Sequence, residues 1–308
     1  MRYYAVVLAR CSQRMDFTLY WFMFPVSIGV ATCAMLSGIG GAALFTPIFI
    51  LIFPLLGPEY PLSSTLAAIG TALLTETFGF TSGFIGYYRR RMIDFAMAFR
   101  FLRWSVPIAI LGAIVAHEVH EGLLVGGYAV LVFTLAVGIL FLHRHTAAVV
   151  TVGRSELVGE VRRKTDSDGH EYVYSMPHMR PRDTATMGLG AFLTGMVSVG
   201  IGEVIISQLT RKGVPVGIAA ATSVMVVIVT VALASTTLVI EIIQDGGVNA
   251  VPWNLVCYSI PGVLIGGQIG PRLQGRISQR TMELAIGVLF MILGVAMMVI
   301  ALRKFGVV

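Results

Sequence analysis

Charge is what this chain has least of: Asp, Glu, Lys and Arg together make up 12% of its 308 residues, about half the share of an ordinary soluble domain. Beside 56% hydrophobic residues, so few charges cannot clothe the surface of one or two water-soluble domains. The bilayer is therefore the expected solvent, and membrane lipid the expected surrounding, of most of the chain. Cysteine is scarce too. Cys11, Cys33 and Cys257 are odd in number, widely spaced and form no C-x-x-C pair, so neither a disulfide framework nor a zinc site is indicated. No P-loop, dinucleotide fingerprint or nucleophile elbow is present, and the expectation is no enzyme, no cofactor and no ATPase of its own. The N-terminal MRYYAVVLARCSQRMDF is broken by Arg10, Gln13 and Arg14 and is followed by no A-x-A site, which argues against a cleavable signal peptide. The net charge of +6 fits cationic cytoplasmic loops, and no nucleic-acid partner is expected.

What is abundant is uninterrupted apolar sequence. Runs long enough to cross a hydrocarbon core about 30 Å thick cover 62–88, 98–116, 122–142, 215–240, 252–270 and 281–302. Two further stretches, 18–56 and 186–210, are interrupted near their middles by SGIGG (37–41) and GIGE (200–203). Clustered glycines favour an unwound turn there, and unwound backbone at membrane depth survives only where protein or a wet cavity satisfies it. The long polar segment, 143–184, carries the turn signal Asp168-Gly169 between alternating runs and predicts a small β-hairpin outside the membrane. It reads as a solvated linker or as a regulatory or partner-binding element.

The two halves echo each other. MLSGIGG (35–41) matches MVSVGIGE (196–203), AIGTA (68–72) matches AAATS (219–223), and PIAILG (107–112) matches PGVLIG (261–266), in one order. Basic residues orient them. Arg89, Arg90 and Arg91 share a loop, as do Arg211 with Lys212 and Arg272 with Arg276 and Arg280, while HEVHE (117–121) and EIIQDGGVNAV (241–251) hold no Lys or Arg. With Lys and Arg on the cytoplasmic side, the second repeat is upside down relative to the first. The 186–210 stretch is too short at about 1.5 Å per residue to cross twice, so a re-entrant hairpin with its tip at GIGE is expected. By symmetry 18–56 enters from outside, which conflicts with Arg2, Arg10 and Arg14 and leaves the side of the N-terminus open. The expected fold is all-α and polytopic. It comprises a first repeat over 1–142, a cytoplasmic linker over 143–184 and a second repeat over 185–308, each repeat a glycine-broken helix followed by three transmembrane helices.

At these motifs the chain resembles the sulfite exporter TauE/SafE family of membrane permeases. The resemblance rests on SGIGGAALFTP (37–47), AIGTALL (68–74), YYRRRMIDFAMAFR (87–100), GIGE with AAATS, and IPGVLIGGQIGPRLQGRI (260–277), and spans nearly all of the apolar chain. It implies a multi-pass permease of the plasma membrane for small anions, sulfite and organosulfonates being the class, with a homodimer as one option. Glu203 stands where a third glycine is usual, and Gln208 near the usual proline.

A helix that starts at a break offers free N–H groups and the positive end of its dipole, which together bind an anion without a charged side chain. Gly40, Gly41 and Gly202 are the candidate backbone donors, with Ser37, Gly38 and Gly200 completing the two breaks. Thr71, and Thr222 with Ser223, occupy matching places on the helices after the breaks and are candidate hydroxyl donors; the alternative is simple close packing. Glu76 and Glu203 lie inside apolar runs, where an ionised carboxylate costs several kcal/mol unless paired, wet or protonated. Both are candidate proton carriers, with Glu203 alternatively a filter among anions. Gln208 and Gln268 suit interhelical bonding, and Arg100, Arg103 and Trp104 suit the membrane interface. His117 and His120 do not make the H-E-x-x-H arrangement, so no metal site is expected. The sequence thus favours a secondary transporter of a small, sulfur-containing anion, coupled to protons. A cation or proton channel or antiporter using Glu76 and Glu203 is the alternative, and a scaffold acting through 143–184 stands behind both.

Overall fold

A computed structural model describes residues 18–37, 40–142, 161–167, 169–273 and 279–304 of the chain. The first half contains α1 (Met23–Ser37) and α2 (Ala42–Pro47), the latter continuing through a π-helical turn (Ile48–Ile52) into Phe53–Leu56. It then contains α3 (Thr65–Arg89), α4 (Phe95–Glu118) and α5 (Glu121–Val137). Between the halves lie β1 (Val161–Thr165) and β2 (Glu171–Ser175). The second half contains α6 (Pro181–Val197), α7 (Ile201–Arg211), α8 (Val216–Gly246), α9 (Trp253–Leu273) and α10 (Gln279–Lys304). Ser64 and Asp94 cap α3 and α4 by accepting from the N–H groups of Ala67 and Met97. The π turn follows Pro47, which lacks the N–H that a regular turn would use. Cys33 and Cys257 are free, whereas Cys11 lies outside the described residues.

Among the described residues, Phe95–Glu118, Glu121–Leu140, Val216–Gly246 and Gly287–Lys304 are each long and apolar enough to cross a membrane, and Met23–Leu36 and Ala42–Leu56 are shorter apolar helices. Large apolar side chains such as Phe99, Leu111, Leu123, Leu189 and Ile292 are exposed on the outer faces, an arrangement that only lipid makes favourable. The chain is thus an all-α, multi-pass membrane protein. Its centre is made by α3 and α8, where Ala67–Leu73 and Ile218–Val227 are buried without interruption. The α3 helix carries Thr71, Thr75, Glu76 and Ser82 in the bundle interior, so it is less apolar than the outer helices.

The packing follows one rule. α1 lies along α9 and α6 along α4; α3 touches α8 and α9, while α8 touches α3 and α4; α5 pairs with α10. Exchanging α1–α5 for α6–α10 in order leaves these partnerships unchanged. Small residues set the spacing, because a Cβ on Gly262 or Gly266 would sit 2.5 Å from Phe24 O or 2.4 Å from Ile28 O. These contacts advance together along both chains, so α1 and α9 run in the same direction. Gly188 beside Ile108 and Gly112 beside Phe192 and Met196 show the same for α6 and α4. α1 therefore starts at the end of the bundle that holds the 247–252 connection, and α6 starts at the opposite end, beside Arg89–Arg91.

Most of the described Lys and Arg side chains gather at one of those ends, with Arg303 and Lys304 at the other. Arg89, Arg90, Arg91, the hairpin, Arg211 with Lys212, and Arg272 share one end. Glu118, Glu121, Glu241 and Asp245 mark the other, where Lys304 bonds Glu121 and Thr65. Lys212 bonds the Asp183 carboxyl at the basic end and holds it below its ordinary value. The hairpin pairs Arg162 with Tyr174 and Lys164 with Tyr172, so these four side chains share a face. That face docks on the α3–α4 connection. Arg162 donates to Asp94 at 3.0 Å, Tyr174 OH donates to the same carboxylate at 2.8 Å, and Lys164 bonds the Ile93 carbonyl. Asp94 is 4% exposed, and a carboxylate so buried is tolerable only because these donors and the α4 N-terminus satisfy it.

Candidate functional site

The two glycine breaks face each other in the interior. In the second half, α6 ends at Ser198 in the left-handed region (φ 66°), and Gly200 follows with φ 141°. Glycine is required at 200 for that conformation and for space, since a Cβ would lie 2.7 Å from Gly190 O. Ile201 opens α7 with its N–H bonded to Thr194 Oγ1 at 2.7 Å. Glu203, in the first turn of α7, folds back so that its Oε2 accepts from Gly200 N at 3.1 Å. Its Oε1 accepts from Gly40 N, also at 3.1 Å, in the break of the first half. One carboxylate thus joins N–H groups from both breaks. A second bridge lies beside it, Thr46 Oγ1 to Ser198 Oγ at 2.9 Å.

Glu76 approaches the same point from α3. A Cβ on Gly40 would lie 3.0 Å from Glu76 Oε1 and 3.7 Å from Glu203 Oε1, so the two carboxyls flank this glycine. Glu76 is 2% exposed; its oxygens face the N–H groups of Gly41 and Ala42 at the start of α2 without reaching hydrogen-bond geometry. Tyr128, fully buried on α5, donates to Ala43 O and lies within the electrostatic field of both carboxyls. The arrangement offers backbone donors at two helix starts, two carboxyls and several hydroxyls in one enclosed place. Backbone donors of this kind can hold an anion, and a buried carboxyl can hold a proton.

The remaining sequence candidates fall as follows. Gly41 lies beside Glu76, and Gly202 supplies its carbonyl to Ser223 Oγ at 3.2 Å, so Ser223 belongs to the α7 side of the site. Thr222, expected to act beside Ser223, instead accepts from Asp94 N at 3.1 Å, because adjacent residues on a helix point about 100° apart. Thr71 is buried on α3 and its hydroxyl has no hydrogen-bond partner among the described residues; the same holds for Thr75. Ser37 is the last residue of α1, and Gly38 lies outside the described residues. Gln208 donates to Asp183 O and Thr186, and Gln268 to Ser82, as interhelical ties. Arg100 and Trp104 line a surface cleft with His178 and Met179. No cluster of three or more His, Cys, Asp or Glu suited to a metal occurs among the described residues.

Tyr128, Thr46, Ser198 and Thr194 were not marked by the sequence. Only Tyr128 carried a signal, as a phenol in an apolar run, where a buried hydroxyl needs a partner.

No solved structure matches the chain. It is 21% identical over 276 residues, 89% of this chain and 96% of the relative, to the "Probable membrane transporter protein YunE" of Bacillus subtilis (strain 168). Residues 23–297, which hold both breaks, both glutamates and all of α3–α9, match the family model described as "Sulfite exporter TauE/SafE". The chain is thus a membrane transporter rather than an enzyme, and it belongs to the sulfite exporter TauE/SafE family.

Proposed function

We propose that the protein is a secondary transporter of the plasma membrane that moves a small, sulfur-containing anion such as sulfite or an organosulfonate, coupled to protons through Glu76 and Glu203. The observation that carries this reading is the convergence of Gly40 N and Gly200 N, from the two halves, on a single carboxylate. Two helix starts aimed at one negative group form an anion seat, and low local dielectric strengthens it. The seat lies between repeats of opposite orientation. Supporting this, α1 and α6 start from opposite ends of the bundle and the packing partnerships survive exchange of the halves. The basic end is cytoplasmic by the distribution of Arg and Lys. Rocking of one repeat against the other then exposes the seat to each side in turn.

The test is flux in proteoliposomes loaded with sulfite, methanesulfonate or ethanesulfonate under an imposed pH gradient. At least one of these anions is expected to move, and faster with the gradient than without it. A folded protein that moves none of them, or moves cations instead, would contradict the reading.

A further inference from the structure

Resting on that reading, we infer that the Glu203 carboxylate occupies the place of the transported anion, as a built-in ligand that the substrate must displace. Its two oxygens each take one N–H at 3.1 Å, one from Gly200 in its own break and one from Gly40 in the other. These are the donors that an incoming anion would need, and they are already saturated. The geometry also describes the substrate. It is an oxyanion with two acceptor oxygens on one central atom, as in a sulfonate, sulfite or carboxylate, able to repeat the span that the carboxylate makes.

Two negative groups cannot share the seat. Glu203 Oε1 and Glu76 Oε1 both lie close to Gly40, so an anion arriving there while Glu203 is ionised meets a negative charge at contact distance and is repelled. The titratable groups facing Glu203 are Glu76 from α3 and Tyr128 from α5. Hydroxyls of Thr46 on α2, Thr194 and Ser198 at the end of α6, and Ser223 on α8 lie at the same two breaks, bonded to each other or to the break backbone. A proton on Glu203 removes the charge that strengthens both bonds and leaves one oxygen as a hydroxyl, a poor partner for the N–H it faces, while the other oxygen still accepts. The bridge weakens, and an incoming anion, the stronger acceptor, displaces the neutral acid from both N–H groups. One proton therefore enters the site with each anion.

The experiment measures ethanesulfonate binding to the purified full chain by isothermal titration calorimetry. The anion keeps its charge between about pH 5.5 and about pH 8, so any pH dependence belongs to the protein. The wild-type affinity is expected to rise as pH falls, approaching about tenfold per pH unit where one proton accompanies each anion. Glu203→Ala is expected to lose most of that slope, keeping only what Glu76 contributes, and to bind more tightly than the wild type at the higher pH. Glu203→Gln keeps the side-chain volume and is expected to lose the slope to the same extent, which preserves the test if the alanine variant does not fold. A wild-type slope retained in the variants, or a flat wild type, would overturn the inference and leave the anion-transport reading standing. No binding of ethanesulfonate, methanesulfonate or sulfite by the wild type at any pH would overturn both.

Discussion

Gly195→Ala is expected to destabilise the folded protein by about 3 kcal/mol, enough to lower its unfolding midpoint in detergent by several degrees. A Cβ at this position would lie 2.0 Å from Ala109 O and 2.8 Å from Ala113 N. Both contacts are backbone on the facing helix, so no rotamer change relieves them, and α4 and α6 must separate. The same closeness occurs at Gly112, whose Cβ would meet Phe192 O at 2.1 Å. In a bilayer, tight packing of this kind does much of the work that hydrophobic burial does in water. Gly127→Ala is the matched control, because nothing lies within 4 Å of its Cβ position in α5. Better helix propensity should there leave stability unchanged or raise it by about 0.5–1 kcal/mol. Thermal unfolding of the two variants side by side checks the pair; equal midpoints would mean that the α4–α6 seam is looser than described.

Gly40→Val should cut anion flux by at least about tenfold, and towards a hundredfold, with little loss of folding. Hydrogen bonds to a charged group contribute about 1.5–3 kcal/mol each, and every 1.4 kcal/mol is about tenfold in affinity. The valine side chain would stand where Glu76 Oε1 (3.0 Å) and Glu203 Oε1 (3.7 Å) approach the glycine. It would cover the Gly40 N–H and leave an oxyanion one donor short. The closest crowding atoms are ends of flexible side chains, and the nearest backbone atom, Ser198 O at 3.8 Å, is at ordinary contact distance, so the bundle can adjust where the seat cannot. Gly29→Ala on α1, with nothing within 4 Å, serves as the control. Flux through Gly40→Val equal to that of the wild type would remove the first break from the transport path.

The sequence displayed the membrane helices plainly, because a bilayer demands about 20 apolar residues per crossing and the chain has few charges to interrupt them. The runs at 98–116 and 215–240 correspond to α4 (Phe95–Glu118) and α8 (Val216–Gly246), both long and apolar enough to cross. The breaks were legible for a similar reason, since glycine is the residue that φ 141° at Gly200 requires. What stayed hidden depends on long-range geometry. Glu203 stood out as a carboxylate where glycine is usual, but nothing local shows it capping its own helix while reaching Gly40, 163 residues away. Thr222 and Ser223 looked equivalent, yet helical rotation sends one to Asp94 and the other to Gly202. Asp94 itself drew no notice as a short acidic residue after three arginines. Its role as the anchor of the hairpin depends on Arg162 and Tyr174, 68 and 80 residues further on.

The transported oxyanion is expected between the two breaks, on Gly40 N and Gly200 N, in place of the Glu203 carboxylate. A structure determined with selenite, a heavier analogue of sulfite, locates it through the anomalous signal of selenium. The selenium should lie within about 4 Å of both amide nitrogens, with an oxygen about 3 Å from each and the Glu203 side chain turned away. Selenite bound elsewhere, such as the cleft beside Arg100 and Trp104, with Glu203 still bridging Gly40 and Gly200, would contradict it.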